Sequence, residues 1–175
     1  MEGVLAFRTS SKRSRLVIDA DTFRSVLGRF ASGITILTAR DAAGADHGMT
    51  VSAFCSLSLN PPLVLFCVDH SASMHDLLLG HPTIGVSVLS SEQEPHSRRF
   101  AADETDRFDG IAFTRGENDV VLLEAALAHM ECRILEHHEG GDHTIFIAEI
   151  DRAAQHATEG RPLLYYRGGY AQITR

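Results

Sequence analysis

Residues 48–62 read GMTVSAFCSLSLNPP, and the alternation in this stretch constrains the fold more than any other feature of the chain. Met49, Val51, Ala53, Cys55, Leu57 and Leu59 are apolar, whereas Thr50, Ser52, Ser56, Ser58 and Asn60 are polar, with Phe54 alone breaking the second series. Successive side chains of a strand point to opposite faces, so the spacing predicts one strand with an apolar face on a core and a row of hydroxyls opposite. No charged residue occurs between Gly48 and Val68. A face that met only water would be as well served by charge, so the hydroxyl row points to a groove for a polar, hydrogen-bonding ligand. An ordinary half-buried antiparallel strand with a serine-rich outer face accounts for the same alternation.

At 175 residues the chain fits one domain with a sizeable core. Its net charge of −7 argues against a nucleic-acid partner. Lys12 is the only lysine, in a polar stretch without the glycines of a P-loop, which removes most lysine chemistry. No window approaches the roughly 18 consecutive apolar residues of a membrane span, so no membrane partner is expected. The start, MEGVLAFRTSSKRSRLV, carries its basic residues after a short apolar patch, the reverse of a secretory signal. Residues 1–18 therefore read as a flexible basic tail, followed by one domain over residues 19–175. Cys55, Cys67 and Cys132 lie within apolar runs and form no CxxC pair, which predicts buried free thiols in a reducing, cytoplasmic setting.

Asp21 is placed to cap a helix whose apolar positions Phe23, Val26, Leu27 and Phe30 share one face, with Gly33 as its stop. Ile34 to Ala39, a turn through Asp41, Gly44 and Asp46, and the hydroxyl-faced strand make a hairpin. Pro61 and Pro62 end that strand, and Leu63 to Val68 reads as a continuously buried one. Ser71 or Ser73 opens a short helix over Met74 to Leu79; Thr83 to Leu89 is a strand; Ser91 with Glu94 starts a helix carrying Arg98, Arg99 and Phe100. Leu122 to Ala128 reads as a helical turn, and strands near Met130 to Glu136 and His143 to Ile150 flank a Gly-Gly turn. Pro162 to Tyr166 is a last strand before Gly168, Gly169 and Tyr170. Six or seven strands with hairpin-length links and three short helices predict a mainly β, antiparallel barrel rather than a doubly wound sheet.

No two glycines are spaced as GxG, and GxSxG, HExxH and EF-hand loops are missing, so dinucleotide, hydrolase and zinc fingerprints are all absent. His137 and His138 point to opposite faces of a strand, and no metal site is expected of them. GMTVSAFCSLSLNPPLVLFCV, the GGDHT turn at Gly140 to Thr144 and RPLLYYRGGY at Arg161 to Tyr170, in register with FRSVLGRFASGITILT and DRFDGI, resemble the short-chain flavin reductases over about Asp21 to Ile173. That resemblance implies an FMN-binding split β-barrel with short flanking helices, usually a homodimer. It implies binding of FMN or FAD, reduction by NADH or NADPH, and delivery of reduced flavin to a partner monooxygenase. Cofactors carry such a reaction, so no catalytic dyad is required of the chain. A barrel that retains its flavin and acts on its own substrate, or one that binds flavin without catalysis, stays open on the residues.

Carried over residue by residue, the resemblance implies that His47, Gly48, Met49, Thr50, Ser52 and Ala53 line the flavin ring and ribityl chain. Cys67, Val68 and Asp69 lie beside the ring, with Ser71, Ser73 and Arg99 toward the phosphate. His143 is implied on the nicotinamide side as the catalytic-step residue, completed by Arg167 and Tyr170. The choices of FMN against FAD, NADH against NADPH and exchanged against retained flavin are not set by these residues.

Overall fold

The computed structural model describes residues 18–80, 83–102, 106–156 and 160–173. Of the tail expected over residues 1–18, only Ile18 is among them; the rest lies outside the described residues. Helix α1 (Ala20–Leu27) is capped by Asp19, whose Oδ1 accepts from the Thr22 amide at 2.7 Å. It ends at Gly28, earlier than Gly33, where a Cβ would stand 2.8 Å from the Arg24 carbonyl. Strands β1 (Ser32–Gly33), β2 (Thr35–Arg40) and β3 (Asp46–Val51) follow, β2 and β3 forming the expected hairpin.

The single strand expected from residue 48 to residue 60 is two strands. The chain bends at Ser52 and Ala53 and resumes as β4 (Phe54–Leu59). Then come β5 (Pro62–Asp69), α2 (His75–Gly80), β6 (Thr83–Val88), a 3-10 turn over Ser91–Gln93 and α3 (Glu94–Ala101). The remainder is β7 (Phe113–Arg115), β8 (Val121–Leu123), β9 (Ala128–Gly140), β10 (His143–Gln155), β11 (Leu164–Tyr166) and β12 (Gly169–Ala171).

Seven strands form one antiparallel sheet in the order β3-β2-β6-β9-β10-β5-β4. The strands that flank the Ser52–Ala53 bend are thus its two opposite edges. The steps from Val51 to Phe54 reach at most about 11 Å, so the sheet must curl until its edges nearly meet. The edges do not pair with each other among the described residues, which makes an antiparallel split barrel of the class expected. Its interior holds Leu37, Val51, Val64, Val68, Ile84, Val86 and Cys132 around Phe66 and Phe146, cross-strand partners whose rings stack at 5.2 Å.

β2 is buried on both faces: Leu37 enters the barrel, while Ile36 joins a second core outside it with Leu89, Phe100, Val121, Leu123 and Leu163. That outer core lies under the β7–β8 hairpin. Leu122, expected in a helical turn, is in β8 because the hairpin is fastened by side chains of the sheet below. Thr38 Oγ1 donates to the Val121 carbonyl at 2.6 Å, Ser87 Oγ accepts from the Leu123 amide at 3.0 Å, and His129 Nε2 meets the Leu123 carbonyl at 2.6 Å. The Glu131 carboxylate accepts from the Glu117 and Asn118 amides at 3.1 and 2.7 Å. Gly85 permits this approach, since a Cβ there would lie 2.6 Å from both Thr38 Oγ1 and the Val121 carbonyl.

Three further expectations are corrected by burial. Leu63–Val68 alternates, with Val64, Phe66 and Val68 inward and Leu65 and Cys67 half-buried on the other face. Only Cys132 is a buried thiol, pushed up to about 12 by its apolar surroundings; Cys55 is exposed and Cys67 half-buried, though all three are free. Finally, of the apolar set running from Val51 to Leu59, only Val51 reaches the core, and Leu59 is 92% exposed.

Candidate flavin cleft

Beside the barrel seam is a cleft of about 870 Å³, in the size range of cofactor sites. One wall is Ser52 to Cys55 with Leu65 and Cys67 of β5, where side chains that alternate away from the core emerge on the outer face. The other wall is α1 through Phe23 and Leu27, the segment from Gly28 to Gly33, and the β11–β12 turn through Tyr165, Arg167 and Gly168. The turn is tied to the helix end by the Arg167 amide, which donates to the Gly28 carbonyl at 2.8 Å. Arg167 at φ 53° and Gly168 at φ 78° give the paired left-handed geometry of a tight hairpin turn. Opposite, the Cys67 amide donates to the Ala53 carbonyl at 3.0 Å and joins the bend to β5. Burial and the neighbouring Cys55 push the Cys67 thiol up, so it stays neutral and serves as an apolar wall.

Of the residues expected to bind, Ser52, Ala53, Cys67 and Arg167 come together here. Val68 turns its side chain into the barrel core, so only its backbone remains for a ligand. Asp69, Ser71 and His143 gather at the end of β5, where Asp69 is the cross-strand partner of His143. Asp69 Oδ1 accepts from both the hydroxyl and the amide of Ser71 at 2.7 Å, which holds its carboxyl below the usual range. His143 Nδ1 lies 2.7 Å from Asp142 Oδ1, and this bond likewise lowers the Asp142 carboxyl. With Asp142 ionised, Nδ1 carries the proton and Nε2 is the nitrogen left to meet a ligand. Ser73 is exposed two residues before α2.

The other expected residues are elsewhere. His47 Nε2 is 2.9 Å from Asp41, Met49 packs on the barrel core, and Thr50 Oγ1 donates to the Ser97 carbonyl of α3 at 2.7 Å. A Cβ on Gly48 would stand 2.5 Å from the Phe100 ring, so this glycine admits α3 against β3. Arg99 Nη1 donates to the Asp109 carbonyl at 2.5 Å, while Arg98 covers the Tyr170 ring. Tyr170 itself lies in a neighbouring hollow, its hydroxyl 2.8 Å from Ser97 Oγ.

Phe54, Cys55, Leu65, Tyr165 and the apolar face of α1 line the cleft without having been expected there. Leu65 and Cys55 share the strand parity of Cys67 and Ala53, a signal already present in the sequence. The α1 stripe was expected only as one apolar helix face, with no partner assigned to it.

Comparison with known proteins identifies the family. Residues 27–174 match the flavin reductase like domain. The chain is 40% identical to an NADH-dependent flavin reductase from Rhodococcus over 154 residues, 86% of this chain and 84% of that protein. An NADH-dependent FAD reductase from Streptomyces globisporus is 42% identical over 142 residues, 78% and 77% of the two chains. The NADH:FAD oxidoreductase of Streptomyces globisporus C-1027, solved with NAD and FAD fragments, superimposes with a TM-score of 0.85 over 92% of this chain and 98% of that one, at 38% identity. The chain belongs to the flavin reductase like domain family.

Proposed function

We propose that this protein is an NADH-dependent flavin reductase that reduces flavin in the seam cleft and releases it to a separate monooxygenase. The observation that carries this reading is the cleft itself, a long apolar trough with hydroxyls and a cation at its rim and no nucleophile–base pair along its described walls. Relatives named as reductase subunits of flavin-dependent monooxygenases support the assignment of a partner oxygenase. Bound flavin and nicotinamide supply the hydride exchange. The chain supplies alignment: Leu65 and Cys67 offer an apolar wall to a flat ring, the Ser52 hydroxyl meets a polar chain, and Arg167 faces anionic groups. His143 stands at the end of β5, positioned by Asp142, to orient the nicotinamide partner.

The same reading includes a homodimer. Phe23, Val26, Leu27 and Phe30 are 53, 60, 50 and 80% exposed, and Leu57 and Leu59 add to a bare apolar rim around the cleft. Such a surface calls for a cover, and a second copy supplies one. No helix among the described residues is long and apolar enough to cross a membrane, and three unpaired thiols suit a cytoplasmic setting. The decisive assay is NADH consumption by purified protein with and without free flavin. Consumption proportional to added FMN or FAD is expected; none with either flavin would reduce the protein to a binding module.

A further inference from the structure

At the end of the barrel where β5 finishes and β10 begins, Met74, just before α2, and Leu78 within it are each 1% exposed and belong to the interior core. Beside Met74 stands His75, 8% exposed and edge-on to the Phe146 ring at 6.4 Å. A leucine would pack such a place as well. An imidazole in apolar surroundings costs desolvation unless its nitrogens are bonded, and here both are. Nε2 lies 2.8 Å from Oγ1 of Thr144, itself 1% exposed, and Nδ1 lies 3.2 Å from Asp76 Oδ1.

The value of these bonds comes from where they fall in the chain. Thr144 follows His143 on β10, and strand alternation sends the Thr144 side chain into the barrel and the half-buried His143 to the other face. On the opposite flank, His75 meets the His70 ring edge-on at 5.1 Å. The His70 amide donates to the Asp142 carbonyl at 3.1 Å, and its Nε2 lies 3.5 Å from Glu139 Oε2. One buried imidazole therefore bears on the residue before His143 and on the residue after it. The tip that it braces has little cover of its own, since Gly141 turns at φ 86° and β9 is exposed from Leu135 to Gly140.

We propose that His75 is a positioning residue for the nicotinamide step: it holds the backbone on both flanks of His143 and so fixes the direction in which that imidazole meets the dinucleotide. The proposal rests on the assignment of His143 to the nicotinamide side. His75 acts through Thr144 and the His70–Asp142 link, from behind the strand.

Anaerobic rapid mixing of FMN-loaded protein with NADH gives the NADH dependence and limiting rate of flavin bleaching, and fluorescence titration gives FMN affinity. Both are measured, with thermal midpoints, for wild type, His75→Ala, Thr144→Val, His143→Ala and the His75→Ala/His143→Ala pair. Thr144→Val removes the same bond from the strand side with a side chain of the same shape, and it carries the test alone if His75→Ala does not fold. Each of these two variants should raise the NADH requirement by about threefold or more, with FMN affinity held within about twofold. His75→Gln, whose amide nitrogen can stand in for Nε2, should restore most of the loss. The double variant should be no worse than His143→Ala, because a residue that acts through another then has nothing left to position. Normal NADH dependence in His75→Ala and Thr144→Val, whatever their midpoints, overturns the proposal, as do losses that multiply in the double variant. If His143→Ala itself reduces flavin normally, the assignment of His143 fails and the proposal falls with it; a defective His143→Ala beside a normal His75→Ala sinks the proposal alone.

Discussion

The two outer faces of the barrel are finished in opposite ways. Over β2, β6 and β9 the chain closes its own surface with the β7–β8 hairpin, and Ser87, His129 and Glu131 are spent on holding that hairpin's backbone. Beside β4 and β5 it leaves Phe23, Phe30, Leu57 and Leu59 in the open, with a cleft between them. A buried polar group without a partner is costly, so the closed face is one in which nearly every group has found one. The open face leaves large apolar side chains between 45 and 92% exposed. The closed face carries stability, and we assign binding and assembly to the open one.

The largest effect that tests this contrast is expected at α1. Phe23→Asp with Leu27→Asp should turn a dimer into a monomer, raising the dissociation constant by at least about 100-fold, since each lost apolar side chain is worth about 1.5–3 kcal/mol at an interface. Analytical ultracentrifugation reads the shift, and flavin affinity should fall with it. The thermal midpoint of the monomer should move far less, because Phe23 and Leu27 are only about half covered within one chain, at 53 and 50% exposure. A large drop would mean that α1 belongs to the fold and the contrast is wrong.

On the closed face the expectation is reversed. Gly85→Val forces a side chain against Thr38 and the Val121 carbonyl and should cost about 2–4 kcal/mol in denaturant unfolding, with flavin affinity per folded molecule unchanged. His143→Ala should spare both stability and flavin affinity and slow flavin reduction, or raise its NADH requirement, by about tenfold, roughly 1.4 kcal/mol. Normal kinetics in rapid mixing would return His143 to the status of a hairpin residue.

The smallest effect is a pH slope. Burial holds the His129 imidazole below its usual pKa, and its Nδ1 already accepts from His156 at 2.7 Å. The unfolded chain takes up that proton near pH 6.5, so the stability His129 contributes is present above this value and is lost as pH falls through it. Thermal midpoints should decline from pH 7.5 to pH 5.5, and His129→Gln should flatten the decline. An identical slope in the variant would place the titration elsewhere.

Much of the fold was legible because its signals are local. The α1 stripe, the turn at Gly44 and the Gly141–Asp142 turn each announce themselves within a few residues. The bend at Ser52 and Ala53 was not, since apolar and polar residues keep alternating straight through it and only the pairing of β3 and β4 with different strands reveals the break. The bend also divides the residues that the resemblance groups on the flavin: Ser52 and Ala53 line the cleft, whereas His47, Met49 and Thr50 meet Asp41, the barrel core and Ser97. Nor does periodicity say whether an apolar face meets its own chain, a ligand or a second copy, which is why Cys55 and Leu57 were read as core and the α1 face was given no partner. Cys67 and Arg167, named by resemblance alone, both line the cleft, because resemblance carries three-dimensional information that spacing lacks.

The two-residue bend also acts as a clasp on a hoop. Because it joins the first strand of the sheet to the last, its length sets the circumference on that side, and the wall of the cleft is the clasp itself. One residue inserted between Ser52 and Ala53 would add about 3.5 Å of slack, reverse the facing of every following side chain of β4 and uncouple the cleft from the barrel. The same insertion in the Gly141–Asp142 turn would leave the circumference of the barrel unchanged. Evolution of a new ligand preference in this architecture is therefore expected to proceed by exchanging side chains around the bend and to leave its length alone.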